Sequence, residues 1–277
     1  MTKKLRLRSS ATACAFAALF AGSALAQTPA PAAAPEATPA AAPEAKPEPD
    51  FTYSANIGLF SQYVFRGISQ TNEKPAVQGG MDLSHKSGLY IGTWASNISW
   101  LSDGNPDVSA PIEWDFYGGY KWSLPQDFVA DFGVLYYWYP GSYPSGYSPK
   151  PDTTELYAAL NWKMLQVKYS YAVSDTFGFP NSDGSYYIEG NLNWDVVDKV
   201  NDVIGKITLI GHVGYQSYAN NGDFSYTDWK VGVSTEVWGV TVGIFGTGTD
   251  ATSSLYTNRF GKNISGNQFV GFVQKTF

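Results

Sequence analysis

The sequence contains little cysteine, little histidine and little charge. Its 277 residues include one cysteine and two histidines, and only 15% of them are charged, against about 25% in ordinary soluble domains. A disordered chain would carry more charge, and the formal net charge of −6 argues against nucleic acid as a partner. The mean hydropathy is slightly negative, which excludes a bundle of transmembrane helices.

The first 26 residues have the pattern of a signal peptide. Basic residues between Lys3 and Arg8 precede an apolar stretch, Ala11–Ala21, and Ala24-Leu25-Ala26 supplies the small-x-small pattern of a cleavage site. We expect cleavage after Ala26, which would leave 14 Lys and Arg against 24 Asp and Glu. The single cysteine, Cys14, lies in this segment, so the mature chain needs no disulfide.

Residues 27–50 form an Ala/Pro/Glu-rich tract with seven prolines and no aromatic residue. Such a composition cannot bury a core and favours an extended, disordered linker. The simpler interpretation is a spacer between the cleavage site and the fold. The alternative is a periplasmic tether that contacts the cell wall or a partner.

From Phe51 onward, apolar and polar residues alternate with a period of two, which predicts β-strands with two different faces. Twelve segments follow this pattern, most of them ten to thirteen residues long, which suits tilted strands that cross a bilayer. The predicted strands are 52–66, 76–85, 88–99, 111–122, 127–139, 153–163, 165–175, 185–195, 206–217, 226–237, 239–248 and 267–277.

The connections between these strands alternate between long and short. Gly67–Pro75 is long, whereas Lys86 and Ser87 alone join the next pair. This alternation is typical of an outer-membrane barrel with tight periplasmic turns and longer outer loops. One link, Val196–Gly205, should be short and is not, and we expect a one-turn helix there. The predicted fold is an all-β, transmembrane, antiparallel up-and-down β-barrel of twelve strands over residues 51–277.

Tryptophans lie at the predicted strand ends. Four of them mark the periplasmic ends of even-numbered strands and are expected at the membrane interface: Trp122, Trp162, Trp194 and Trp238. The chain ends in Phe277, and a terminal aromatic on an amphipathic last strand resembles the signal that bacterial barrel-assembly machinery recognises. Outer-membrane lipids and this machinery are therefore the expected partners.

Three pieces of the segment Ser54–Trp100 carry a family resemblance: Ser61-Gln62-Tyr63-Val64-Phe65-Arg66-Gly67, Pro75-Ala76-Val77-Gln78-Gly79-Gly80 and Gly92-Thr93-Trp94-Ala95-Ser96-Asn97. They resemble the opening of the TorF family of porins, also described as Gcw_chp, a bacterial family of unknown function. The resemblance extends through the barrel and implies an outer-membrane barrel of a Gram-negative envelope. It supplies no substrate and no catalytic residue.

The polar faces of the predicted strands should point into the lumen, because in lipid the strands must close and turn their apolar faces outward. Eight acidic and five basic side chains then have lumen parity: Arg66, Asp82, Glu113, Asp115, Lys121, Asp131, Glu155, Lys168, Glu189, Lys206, Asp228, Lys230 and Glu236. Such charges either line water or pair with one another. We expect them to line a passive diffusion pore for small hydrophilic solutes with at most weak cation preference. The alternative is a sealed barrel held by salt bridges.

Arg66 is expected at the outer rim, at the end of the first strand. There it could bind an anionic solute or, as the simpler interpretation, fix a loop. The tyrosines and tryptophan between Tyr136 and Tyr147 could form an inward constriction, or more simply a rim girdle with a surface loop.

An outer-membrane enzyme is a further alternative, but His85 and His212 are the only candidate bases. The sequence has no GxSxG elbow, no HExxH and no metal-spaced cluster. We therefore expect no catalytic residue, no metal site and no cofactor. A loop-binding adhesin is a third possibility, although its loops would be short. The sequence leaves the solute and the oligomeric state open.

Overall fold

The computed structural model describes residues 49–277. The predicted signal peptide, Cys14 and the predicted linker up to residue 48 lie outside the described residues. No helix in the described part of the chain is long and apolar enough to cross a membrane.

Twelve antiparallel strands form one closed barrel in which each strand pairs with its neighbours along the chain, and this confirms the predicted up-and-down topology. The barrel strands are β1 (Phe51–Phe60), β4 (Ala76–His85), β5 (Leu89–Asn97), β6 (Ile112–Ser123), β7 (Phe128–Trp138), β8 (Thr153–Trp162), β9 (Leu165–Ala172), β10 (Tyr186–Val197), β11 (Ile204–Ser217), β12 (Tyr226–Val237), β13 (Val240–Thr249) and β14 (Gln268–Thr276). Two further strands, β2 (Val64–Phe65) and β3 (Ile68–Ser69), form a separate small hairpin.

The barrel closes between its first and last strands. Asn56 of β1 pairs with Thr276 of β14, and Phe60 pairs with Phe272, so the sheet has no free edge. Closure satisfies every strand's backbone groups within the barrel, which is the requirement for β-structure in lipid. Phe277 extends this seam, because its N–H donates to the Ala55 carbonyl at 2.8 Å.

Alternation along each strand sets what faces outward. In β8, Leu156, Leu160 and Trp162 are exposed on the outer face, whereas Glu155 and Ala159 are buried inside. The apolar residues are therefore outside and many charged ones are inside, the reverse of a soluble protein.

Both chain termini of the barrel and the short connections lie at one end, which we call the turn end. The long connections lie at the opposite loop end. A five-residue helix, α1 (Trp100–Gly104), and two short 3₁₀ segments, Gly222–Phe224 and Ser253–Tyr256, occur in the long connections. The one-turn helix expected between Val196 and Gly205 is wrong: this link is a bend with register irregularities on both flanking strands.

The predicted first strand is also too long. The alternation of apolar residues continues to Phe65, but β1 ends at Phe60, and residues 61–69 leave the wall. The Ser61 N–H still donates to the Gly271 carbonyl at 2.8 Å before the chain turns inward. Because the chain leaves the wall after Phe60, the hairpin formed by β2 and β3 lies inside the lumen.

Candidate functional site: the barrel lumen

The hairpin of β2 and β3 folds from the loop end into the lumen. Its two-residue turn is Arg66-Gly67, with φ of 45° and 78°. Two consecutive positive φ values are the geometry of a type I′ turn, which matches the twist of a hairpin. A left-handed arginine is uncommon and costs on the order of 1 kcal/mol, so its surroundings must hold it in place.

Arg66 connects the hairpin tip to three barrel strands. Its guanidinium pairs bidentately with Glu155 of β8, with Nη1–Oε1 at 3.0 Å and Nη2–Oε2 at 2.8 Å. Nη1 also donates to Gln216 Oε1 of β11 at 2.6 Å, and the ring of Tyr187 on β10 lies 4.2 Å from the guanidinium carbon. Burial acts to lower the pKa of Arg66, but the Glu155 carboxylate outweighs it and the pKa lies above its ordinary value.

The stem of the hairpin packs against the opposite wall. The Tyr63 hydroxyl donates to Glu113 Oε1 at 2.6 Å, and its ring meets the edge of Trp94. Phe65 packs edge-on against Tyr137 and Phe177. Burial raises the pKa of Tyr63, and the Glu113 carboxylate raises it further, so the hydroxyl keeps the proton that it donates.

The hairpin closes the loop-end half of the lumen. Near this end every barrel strand has an inward residue that is at most 9% exposed. In chain order these residues are Phe60, Ala76, Trp94, Asp115, Tyr137, Glu155, Ala172, Tyr187, Gln216, Asp228, Thr247 and Val270. At this level of the described barrel, the inner wall is therefore covered around its whole circumference.

Tyrosine hydroxyls satisfy most of the buried carboxylates. The pairs are Tyr63–Glu113, Tyr90–Asp131, Tyr117–Asp82, Tyr137–Glu155 and Tyr187–Asp228, at 2.6 to 3.3 Å. A hydrogen bond to a charged group contributes more than one between neutral groups, so these pairs fix the interior polar network. Asp115 differs: within residues 49–277, neither of its carboxylate oxygens has a hydrogen-bond partner.

The turn-end half of the lumen is less filled. Lys206 lies 3.5 Å from Asp195 and 4.0 Å from Glu236, and all three are partly exposed. Lys121 and Lys168 extend over tyrosine rings at 4.5 and 4.6 Å. These charged side chains are less buried than those near the loop end.

The structure places all of the sequence-predicted lumen residues on the inner side of the barrel, at two levels. Those that are buried are Arg66, Asp82, Glu113, Asp115, Asp131, Glu155, Asp228 and Lys230. Those that are half-buried are Lys121, Lys168, Glu189, Lys206 and Glu236. Arg66 lies near the loop end, as expected, but the expectation that it ends the first strand is wrong, because β1 ends at Phe60 and Arg66 lies on the hairpin inside the lumen. That these residues line a conducting path stays a prediction.

The predicted interface tryptophans Trp122, Trp162, Trp194 and Trp238 are exposed near the turn end. At the loop end, Trp114 and Trp229 are exposed, while Trp100 packs edge-on against Tyr139 within the loops. Contact of these rings with a membrane interface stays a prediction.

Sequence reasoning missed Gln216 and Tyr187 as partners of Arg66. Both have inward parity on their strands, but neither is charged, so a search for charges does not find them. The one local signal was Arg66-Gly67 itself, a possible two-residue turn between Val64-Phe65 and Ile68-Ser69.

Comparison with known proteins gives one family. The family described as "Bacterial protein of unknown function (Gcw_chp)" matches residues 44–277. No curated protein matches the chain.

Among solved structures, a KdgM porin aligns with a TM-score of 0.50 and 9% identity over 81% of this chain and 99% of that chain. A KdgM porin in complex with disordered oligogalacturonate aligns with a TM-score of 0.49 and 10% identity over the same shares. A mutant porin of Rh. blastica aligns with a TM-score of 0.34 and 12% identity over 72% of this chain and 55% of that chain. At such low identity, the first of these comparisons shows a porin-like barrel fold and nothing about what crosses the lumen.

Proposed function

This chain belongs to the Gcw_chp family, whose description states no function, and we propose that it forms an outer-membrane channel for small hydrophilic solutes. The proposal rests on the geometry of the barrel. The observation that carries the proposal is a closed barrel with an apolar exterior and a charged interior. A soluble barrel exposes its ionisable side chains and buries its leucines and tryptophans. This barrel buries eight ionisable side chains and exposes leucines and tryptophans, as a membrane barrel does. Passage is by diffusion through the lumen.

The exterior supports the outer membrane as the location. Exposed apolar side chains cover every outer face, and tryptophans lie near both rims. Lys275 is the one outward lysine of the last strand, and its ammonium bends back to donate to the Gly239 carbonyl at 2.7 Å at the turn end. A lysine that reaches the interface in this way is tolerated in a lipid-facing strand. Export by a signal peptide cleaved after Ala26, and assembly through the strand ending in Phe277, complete the proposal.

The hairpin is the closing element of this channel. It belongs to a connection rather than to the wall, so it can leave the lumen without breaking the barrel's ladder. The path conducts when residues 61–69 move toward the loop end, and it is blocked when Arg66 is paired with Glu155. Acidic side chains outnumber basic ones inside, which favours cations weakly.

A bilayer recording with and without the hairpin tests the proposal. Gln70 N–H donates to the Tyr63 carbonyl at 2.8 Å, so the stem is already closed at this pair. Residues 64–69 can therefore be replaced by an Asn-Gly turn without moving the stem. We expect the natural protein to give brief, discrete conductance steps and the trimmed variant to conduct almost continuously.

A sealed structural barrel is the second candidate, and the complete burial around the hairpin favours it. The same recording separates the two. A silent natural protein with a conducting trimmed variant would identify a plugged barrel that does not transport. Silence of both proteins would reject the channel altogether.

An enzymatic role has weaker support. Both ring nitrogens of His212 are held inside the barrel, Nδ1 at 2.6 Å from Asn191 Oδ1 and Nε2 at 2.8 Å from Asp228 Oδ1. His85 lies 2.8 Å from the Ser87 hydroxyl, but the two are joined in the same tight exposed turn. Neither geometry offers a base aimed at a bound substrate.

Charge reversal in the trimmed variant should invert its ion preference. Without Arg66, the inward side chains are eight acidic and four basic, so the trimmed pore should favour cations. Changing Glu113, Asp115 and Asp131 to Lys would make the basic groups more numerous, and we expect the reversal potential in a KCl gradient to change sign. Reversing three exterior or turn residues instead, Asp50, Asp127 and Asp198, is the matched control and should leave the potential unchanged. An unaltered sign in the first variant would show that these carboxylates do not line the path.

A further inference from the structure

Glu113 and Asp115 form a carboxylate pair that the channel proposal does not explain. They lie two residues apart on β6, so both side chains point inward, and each is only 1% exposed. Glu113 accepts a hydrogen bond from Tyr63, whereas both oxygens of Asp115 lack a hydrogen-bond partner among the described residues. Buried carboxylates are otherwise satisfied in this barrel, which makes Asp115 the exception.

The positive charge of Arg66 acts on Glu113 from a distance, but no positive charge of the described residues is paired with Asp115. Neither carboxylate forms an ion pair within residues 49–277, and the guanidinium of Arg66, the nearest hairpin cation, is occupied by Glu155. The burial of even one unpaired carboxylate is strongly unfavourable, because desolvation is not repaid by any contact. Each of the two carboxylates must therefore be neutralised, either by a proton or by a bound cation.

Tyrosine hydroxyls and aromatic rings lie next to the pair. Trp94 of β5 lies directly opposite Asp115 in the strand pairing, and Tyr137 of β7 lies on its other side. The hydroxyl of Tyr63 reaches the same carboxylates from the hairpin. The described residues contain no group of three or more His, Cys, Asp or Glu that could hold a metal, so a cation would have two carboxylates and otherwise neutral oxygen ligands.

We propose that Glu113 and Asp115 bind one divalent cation of the calcium type beneath the hairpin. Its charge would neutralise both carboxylates, and Ca²⁺ accepts carboxylate, hydroxyl and carbonyl oxygens in irregular geometry at about 2.3–2.6 Å. Since Tyr63 contacts Glu113, the bound ion stabilises the base of the inserted hairpin. The binding itself does not depend on whether the barrel conducts.

Terbium luminescence measures the binding directly. Tb³⁺ replaces Ca²⁺ at oxygen sites and emits when a nearby indole is excited, and Trp94 lies across from Asp115. We expect the purified full-length protein in detergent to show Tb³⁺ emission that Ca²⁺ abolishes and that the Asp115→Asn and Glu113→Gln variants lose. Asp131→Asn is the matched control, because Asp131 is also buried but already accepts a hydrogen bond from Tyr90.

Thermal unfolding provides a second measurement that does not rely on the lanthanide. Ca²⁺ should raise the Tm of the natural protein and of Asp131→Asn, but not that of Asp115→Asn. Far-UV circular dichroism shows whether each variant keeps its barrel. Equal Tb³⁺ emission from the natural protein and Asp115→Asn would overturn the proposal. So would a Tm that depends on pH but not on Ca²⁺, because the pair would then be neutralised by a proton.

Discussion

The replacement of Arg66 by alanine is expected to raise the open fraction of the channel about a hundredfold. In the closed conformation the guanidinium makes two hydrogen bonds to Glu155 and one to Gln216. Removing one partner of a buried ion pair costs about 3–5 kcal/mol, because the other charge stays buried and unpaired. The hairpin can avoid this cost by leaving the lumen, which lets water reach Glu155. About 1.4 kcal/mol corresponds to a tenfold change in the equilibrium between the closed and open hairpin. Part of the cost of about 3–5 kcal/mol is therefore enough for a hundredfold rise in the open fraction.

Single-channel recordings of two further variants distinguish loss of the ion pair from general damage to the barrel. Adding Glu155→Gln to Arg66→Ala removes the stranded carboxylate, and we expect the open fraction to fall back toward that of the natural protein. Lys206→Ala removes the half-exposed ion pair between Lys206 and Asp195 at the turn end, and we expect it to leave the open fraction unchanged. If Arg66→Ala keeps its barrel by circular dichroism and still opens no more often, the ion pair does not hold the hairpin.

The barrel could be predicted from the sequence because each of its twelve strands shows the same local alternation of apolar and polar residues. In β6, for example, Ile112, Trp114 and Phe116 alternate with Glu113 and Asp115, and this period alone fixes which face each side chain takes. Ladder pairing with the next segment then follows from the short turns. No long-range contact needs to be known.

The hairpin could not be predicted in this way, because the local pattern continues through it. Tyr63 and Phe65 keep the alternation of β1, so period two extends the strand to residue 66. β1 ends at Phe60 because of tertiary contacts. Arg66 binds Glu155 and Gln216, which lie 89 and 150 residues away along the chain. The exceptional position of Asp115 is likewise invisible in the sequence, because it depends on which carboxylates receive a tyrosine hydroxyl.

Gly67→Ala should open the channel without any change of charge. A Cβ at this position would lie 2.8 Å from Cβ of Asp228 and closer still to Cγ2 of Thr249, so the hairpin tip could no longer rest against β12 and β13. Overpacking of this kind costs about 1–3 kcal/mol, and the positive φ of 78° adds about 1 kcal/mol for any side chain. We expect the open fraction to rise at least about tenfold.

Two variants show whether the contact or the backbone strain is responsible. Gly146→Ala is the matched control, because Gly146 also has a positive φ, 82°, but a Cβ there meets no atom of the described chain within 4 Å. Gly146→Ala should therefore introduce the same backbone strain as Gly67→Ala and leave the conductance unchanged. Thr249→Ser removes Cγ2 and keeps the hydroxyl that donates to the Ser265 carbonyl at 2.7 Å, so combined with Gly67→Ala it should restore part of the closure. If Gly67→Ala and Gly146→Ala behave alike, contact between the hairpin tip and the wall is not what closes the lumen. If only Gly67→Ala opens the channel and Thr249→Ser reverses it, the seat of the closed hairpin lies between Asp228 and Thr249.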